Sequence, residues 1–407
     1  MSNLIDIDKI TLPADIKHVT RRKILEVFKS GEKRTALDVH VATGISKPTV
    51  MRTIQYFCSK GVLASVGLGQ ASSVGGKRPE YFAFSDHRKI LCITMWPNGI
   101  TLALSELVGD VYGRTTYPTP LQSSIQEAFA QLASVVREFL DNQQVPLSDL
   151  YGVEFSTSGT VDYRNGSLRY NSQAPQWGRD IPVEEYLAPI FGSEVEFFIE
   201  NAGKASGRAL LLDSPELSEC RVLTIFSTWG ISACLIENGH VLNGKDSLIG
   251  EIGHMTIDSV DEEQCGCGKH GCLERLVSIE RITEMLRKKG VSGFGAENTV
   301  TFQSLFAASA EGNGDAREVV VYLAHCFAVA LHNLSLVYNP DVVVFQGDFA
   351  LADEYFDQCM MAELVQFRYY PHDGVFYTAY DRRELTLLAA KGGAALLKRR
   401  FFAGLEE

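Results

Sequence analysis

From Gly250 to Glu274 the chain reads GEIGHMTIDSVDEEQCGCGKHGCLE, and this stretch holds the residue types best suited to chemistry. One imidazole and three thiols fall at His254, Cys265, Cys267 and Cys272, a set able to close a tetrahedral zinc shell. Four protein ligands leave no open position for a reacting water, so the expected cofactor is one structural zinc per chain. Gly266, Gly268 and Gly271 are expected to let the backbone turn tightly enough for three thiolates to reach one ion. The competing interpretation is a run of buried cysteines in a loop, but C-x-C-G-x-x-G-C with an upstream His is metal-like spacing. Glu251, His254 and Glu274 bracket the knot with polar groups suited to a polyhydroxylated ligand, which makes the metal a clamp that orients a sugar site.

Such a loop needs a body to hold it. With 407 residues, 45% of them hydrophobic, the chain has room for two or three domains with real cores. No uninterrupted run of about 18 apolar residues occurs, and the first residues lack the apolar core of a signal peptide; no membrane insertion is expected. The six cysteines outside the knot are scattered in apolar contexts, as befits a reducing cytoplasm. The net charge of −12 is unevenly spread: residues 1–89 carry 15 Lys+Arg against 8 Asp+Glu, while the remainder carries 23 against 42. A basic head on an acidic body points to a head that meets a polyanion.

The head has its own pattern. Apolar residues at Ile16, Val19, Ile24, Val27 and Phe28 predict an amphipathic helix over 16–30, and a second helix is expected over 35–43 with Thr35 as its N-cap. Gly44 makes a turn, Ser46 caps a third helix with Pro48 in its first turn, and Gly61 ends it. Helix, short turn and helix in that order form a helix-turn-helix, whose second helix enters the major groove of duplex DNA. Val50, Ile54 and Phe57 are expected to face the core, and Ser46, Lys47, Thr49 and Arg52 to face base edges. The following VLASVGLGQASSVGGKRPEYFAF reads as strand, Gly/Ser-rich turn and strand, a wing with Lys77 and Arg78 at its tip for phosphate or minor-groove contact. An ordinary small helical bundle is the alternative.

A winged helix-turn-helix joined to G-E-x-G-H and C-x-C-G-x-x-G-C-L-E motifs resembles the ROK family (repressors, open reading frames, kinases), and within it the Mlc/NagC-like repressor branch. The resemblance spans nearly the whole chain. It implies an N-terminal winged helix-turn-helix over residues 1–88 and, over 89–407, an actin-like α/β body of two lobes with a ligand cleft between them and the zinc loop at 250–274. It also implies a homodimer, or a tetramer, acting on double-stranded operator DNA.

Set against the kinases of that family, the sequence departs at each catalytic feature. Their first hairpin carries D-x-G-G-T; here Thr94, Met95, Trp96, Pro97 and Asn98 stand in its place, without a carboxylate and with a proline that lacks a backbone donor. Their phosphate loop G-T-G-I-G-x-G is reduced to Ser227–Ala233 with one glycine and Trp229, and the glycine pair near the adenosine to Gly347. Their general-base Asp follows an Asn, whereas here Asn201 is followed by Ala202, which cannot accept a proton. Glu200 is the one nearby substitute, and strand alternation points it to the opposite face from Asn201. The expectation is therefore no enzyme activity. The hexose-contacting positions are better kept: Ser158, Gly159, Asn201, Glu251, His254 and Glu274 match, with His254 serving both metal and ligand. The family's sugar-loop asparagine falls at Gln173 or Ala174 and is absent. Loss of a carboxylate at Ala202 removes a repulsion of roughly 1 kcal/mol at 4 Å in water, which eases acceptance of a phosphate ester. The expected function is a cytoplasmic repressor of carbohydrate metabolism that senses a sugar or sugar phosphate. The alternatives are an active sugar kinase and a repressor controlled by a sequestering protein partner.

Overall fold

The structure, a computed structural model, describes residues 13–70, 78–192, 194–295, 297–367 and 376–404, with side chains from residue 19 onward. The first twelve residues and Lys77 at the expected wing tip lie outside them.

In the head, α1 (Pro13–Glu26) precedes β1 (Arg34–Thr35), α2 (Ala36–Thr43), α3 (Lys47–Ser59), β2 (Leu63–Leu68) and β3 (Glu80–Phe84). The first helix begins and stops earlier than its apolar spacing predicts, and residues 27–30 form a turn. Thr35 does cap α2: its hydroxyl accepts from the Asp38 amide at 3.2 Å while the Asp38 carboxylate accepts from the Thr35 amide at 2.8 Å. Gly44 ends α2 in the left-handed region at φ 71°. Ser46 takes the N-cap position of α3 without a capping bond to the backbone; its hydroxyl instead meets Thr49 Oγ1 at 2.9 Å. Val50, Ile54 and Phe57 are fully buried, as their spacing requires, and β1-β3-β2 form a small antiparallel sheet.

Two lobes of one topology follow. The first lobe comprises β4 (Lys89–Trp96), β5 (Gly99–Glu106), β6 (Val111–Tyr117), α4 (Ile125–Gln143), β7 (Leu150–Thr157), β8 (Thr160–Asp162), β9 (Ser167–Tyr170), β10 (Ile181–Pro182), α5 (Val183–Phe191), β11 (Glu196–Asn201) and α6 (Ala202–Asp213). The second comprises β12 (Val222–Ser227), β13 (Ile231–Glu237), β14 (His240–Val241), α7 (Leu273–Leu276), α8 (Ile279–Lys288), α9 (Phe302–Ala310), α10 (Gly314–Val337), β15 (Val342–Gly347), α11 (Glu354–Gln366) and β16 (Tyr377–Asp381). Their sheets run β11-β7-β4-β5-β6 and β16-β15-β12-β13-β14. In each, the first strand pairs antiparallel with the second and parallel with the fourth. Such sheets are covered on both faces, which explains why β4 and β12 read as continuous apolar runs.

The helix α12 (Leu385–Gly404) returns from the second lobe, packs on α6 and on β4 and β7 of the first, and ends against the head. Its close approach to α6 depends on Gly392, where a Cβ would stand 1.8 Å from the Ala205 carbonyl oxygen. Phe401 and Phe402 meet Phe84 of β3 at ring separations of 6.2 and 5.9 Å, so head and first lobe share one apolar core. Among the described residues one helix, α10, is long and apolar enough by length and composition to cross a membrane, although polar residues interrupt its apolar run. Half of that stretch is buried, and ten of its residues belong to the second-lobe core.

Candidate functional site

The cleft between the lobes is built from strand ends. β7 ends at Thr157 and delivers Ser158 and Gly159; β11 ends at Asn201; and the β12–β13 turn delivers Thr228, Trp229 and Gly230. The short helical turn Ile252–His254 and α7 close the far wall with Glu251, His254 and Glu274. All six residues expected at a sugar site therefore line one narrow cavity of about 70 Å³.

Two glycines hold that wall in place. Gly250, at φ 103°, gives its carbonyl to the Ala233 amide at 2.7 Å, and any Cβ there would lie 2.1 Å from the Ala233 oxygen. Gly271, at φ 68°, leaves 1.7 Å between a Cβ and the Asp258 oxygen. Gly268 also adopts a positive φ, whereas Gly266 does not, and a Cβ there would make only ordinary contact with Ser172 Cβ at 3.8 Å; the expectation that Gly266 is needed for the turn is corrected.

The four metal-type ligands converge. One donor atom from each of His254, Cys265, Cys267 and Cys272 lies within 4.8 Å of all the others. His254 Nδ1 stands 3.7 Å from Cys265 Sγ, and Cys267 Sγ stands 3.7 Å from Cys272 Sγ. A tetrahedron with metal–sulfur bonds of ~2.3 Å has edges of about 3.8 Å, close to both of these separations, so the cluster could hold a metal ion. Burial raises the Cys267 thiol, but the Lys269 amide and the Cys265 and Cys272 thiols outweigh it and hold it below its usual value, which favours the thiolate that a metal needs. His254 directs Nδ1 at the thiols, so Nε2 is the ring nitrogen that remains for the cleft. Bound there, zinc would supply no chemistry beyond holding this loop, since all four positions are taken by protein.

The acids of the cleft are held in a buried setting. Burial pushes the carboxyl groups of both Glu251 and Glu274 above their ordinary range. Glu251 is opposed in this by a hydrogen bond to Thr160 and by His254, and Glu274 by the Ile231 amide, which donates to its carboxylate at 2.9 Å. Asn201 is partly committed to structure. Its Oδ1 accepts from Gly203 and Lys204 at the start of α6, and its Nδ2 donates to the Gly159 carbonyl at 2.8 Å. Ser158 donates to Asn171 Oδ1 at 3.3 Å. Ala202 is the first residue of α6 and forms an apolar wall with Trp96 and Phe226. Glu200 is fully buried and ion-paired with Arg208 at 3.0 Å, away from the cleft lining, as strand alternation requires.

Sequence reasoning noted Trp96, Gln173 and Trp229 only as departures from kinase motifs and missed Asn171, yet all four bear on the site. Trp96 packs edge-on against Phe226 across the lobes at 5.8 Å, and its buried Nε1–H has no hydrogen-bond partner among the described residues. Gln173 reaches over the cleft to the Trp229 carbonyl at 3.4 Å, while the Trp229 side chain is 57% exposed at the rim. Asn171, fully buried with an unpartnered Nδ2, sits beneath Ser158 two positions before the expected asparagine. A second cavity of about 500 Å³ adjoins the first, sharing Trp96, Thr228–Ile231 and Glu274, and extends to Glu280, Phe302 and Asp348. Among the described residues, neither lining includes a Lys or Arg.

On the head, Ser46, Lys47 and Arg52 are exposed along α3, Thr49 is half-buried and Arg78 is exposed just before β3.

Residues 90–399 match the ROK family model, so the chain belongs to the ROK family. The chain is 23% identical over 377 residues to the DNA-binding transcriptional dual regulator NagC of Escherichia coli (strain K12), covering 89% of this chain and 87% of that protein. It is also 23% identical over 274 residues to a glucokinase of Thermotoga maritima, covering 65% of this chain and 84% of that one. A solved ROK family transcriptional regulator, a homologue of the E. coli MLC protein, superposes with a TM-score of 0.72 at 20% identity, across 96% of this chain and 98% of its own. The body has the α/β ROK sugar-kinase-like fold, and repressor relatives support a ROK regulator.

Proposed function

We propose that the protein is a DNA-binding transcriptional repressor of carbohydrate metabolism whose kinase-like cleft binds a sugar without phosphorylating it. The observation that carries this reading is the cleft itself: Ala202 stands where a base would act, and neither cavity is lined by a cation that could hold a nucleotide's phosphates. The same lack of cations, beside Glu251 and Glu274, favours an uncharged sugar over its phosphate ester in this cleft, despite the missing carboxylate at position 202. Glu251, Glu274 and His254 Nε2 would take its hydroxyl groups, and zinc on His254, Cys265, Cys267 and Cys272 would hold those residues in register.

Residues 1–88 form the winged helix-turn-helix in this reading and residues 89–407 the sensing body. The recognition helix is α3, with Ser46, Lys47, Thr49 and Arg52 toward the groove and Lys77 and Arg78 on the backbone. A cytoplasmic homodimer would place two such helices on the half-sites of an operator. The glucokinase relatives favour a second reading, an active sugar kinase with an added head. One experiment separates the two: the full chain is mixed with ATP, Mg²⁺ and a panel of sugars while calorimetry follows binding. Heat of sugar binding with no sugar-dependent ADP formation supports the repressor reading; sugar-dependent turnover overturns it. Electrophoretic mobility shifts test the head. Arg52→Ala is expected to weaken binding to the operator more than to random DNA, by about 1–3 kcal/mol if Arg52 reads a base.

A further inference from the structure

The cations missing from the sugar cleft are gathered elsewhere. A cavity of about 860 Å³ lies between head and body, bounded by α1 on one side and by the β5–β6 turn, α6 and α12 on the other. Its lining holds six cations, Arg22, Lys29, Arg208, Lys391, Lys398 and Arg399, against two carboxylates, Glu26 and Asp110. That surplus stands out in a chain of net charge −12. Solvated, mutually neutralised surface charge is the plainer explanation, and it accounts for part of the set. Lys29 meets Glu26 at 2.6 Å, Arg208 meets Glu200 at 3.0 Å and Lys391 pairs with Asp213.

Lys398 and Arg399 stand outside these pairs. Lys398 donates to the Gly109 carbonyl at 2.6 Å rather than to a carboxylate, and burial holds its ammonium below the ordinary lysine value. Arg399 has no ion-pair partner among the described residues. Arg208 Nη1 is buried and without a hydrogen-bond partner, an orphan donor at the edge of the cavity. Between these groups run apolar side chains of Val108, Leu211 and Leu396. Concave shape, small-molecule volume, unspent donors and an apolar floor together describe a ligand pocket rather than a flat charged face.

We propose that this cavity binds a phosphate-bearing small molecule, with its anionic group near Lys398 and Arg399 and within reach of Lys29, so that the ligand bridges α1 of the head to α12 of the body. Binding here is independent of what the sugar cleft does. A ligand that spans the junction stabilises whichever head placement closes the cavity, and can shift that placement only by its differential affinity for it.

The test is calorimetry on the full chain with inorganic phosphate, a hexose 6-phosphate and the same hexose unphosphorylated. Two single variants come from opposite walls, Lys29→Gln and Arg399→Gln, both at side chains with substantial exposure and therefore compatible with folding; unchanged thermal melting checks this. Phosphate and the ester are expected to bind, each variant to weaken both by about tenfold, the value of one lost charge-assisted hydrogen bond, and added salt to weaken them further. Binding of the free hexose should be the same in all three proteins. Absence of phosphate binding, or equal phosphate affinity in parent and variants, overturns the proposal. Variants that lose duplex DNA affinity while keeping phosphate affinity would reassign the cavity to the nucleic-acid backbone.

Discussion

Cys267 is the most exposed of the three clustered thiols, and yet its thiol is the one lowered toward the thiolate. Its replacement by serine removes a soft ligand while leaving the loop's glycines intact, so it isolates the metal's contribution. Purified Cys267→Ser protein is expected to hold well under one equivalent of zinc and to lose sugar binding with it, because Glu274 follows Cys272 by two residues. Metal analysis beside calorimetry checks both. A second residue-scale effect concerns Asp348, whose carboxyl is raised by burial from 3.8 to about 6. A raised acid favours the protonated fold: its contribution is complete below the unfolded value and is lost as pH climbs through about 6. Asp348→Asn is therefore expected to stabilise the protein by about 2 kcal/mol at pH 7.5 and to be neutral at pH 4, read from melting curves at the two pH values. These residues also mark what the sequence could and could not disclose. The convergence of His254 with Cys265, Cys267 and Cys272 was legible because their spacing is local. Trp96 was visible only as a residue standing where the kinase motif has glycine; its contact with Phe226 joins strands 130 residues apart, which no local pattern records.

At the scale of elements, α6 and α12 cross where helix propensity and packing disagree. Alanine in place of a helical glycine ordinarily gains about 1 kcal/mol. At Gly392 the added methyl would sit 1.8 Å from the Ala205 carbonyl oxygen, a backbone atom that cannot swing aside. Overpacking costs about 1–3 kcal/mol and occasionally more, so Gly392→Ala should destabilise despite its better propensity. Denaturant titration with an unchanged m-value would locate the effect in the folded state; a gain in stability would show that the helices can part freely. Helix placement was largely readable from apolar spacing, as in α3, where Val50, Ile54 and Phe57 all turn inward. The end of α1 was not: Val27 and Phe28 keep the helical apolar spacing, yet they sit in the turn that leads to β1, with Phe28 buried in the shared core. Burial of Phe28 does not require helical backbone, and periodicity alone cannot tell the two apart.

For the whole molecule, the contact of Phe84 with Phe401 and Phe402 makes the head a structural partner of the first lobe. The full chain should accordingly melt with head and first lobe in one calorimetric transition, and a chain shortened to residues 90–407 should melt lower because it exposes both phenylalanines. A separate low-temperature transition for the head would contradict this. The two-lobe topology was legible only through family motifs, since no local signal relates the β4 hairpin to the β12 hairpin. The route of α12 has a further consequence, one of timing. Strands β4 and β7 are synthesised more than 200 residues before the helix that covers them. During translation their apolar face must therefore wait, shielded by chaperones or by transient contacts. A polypeptide interrupted before α12 would lack Phe401 and Phe402 from the core shared by head and first lobe, leaving both unfinished and open to degradation.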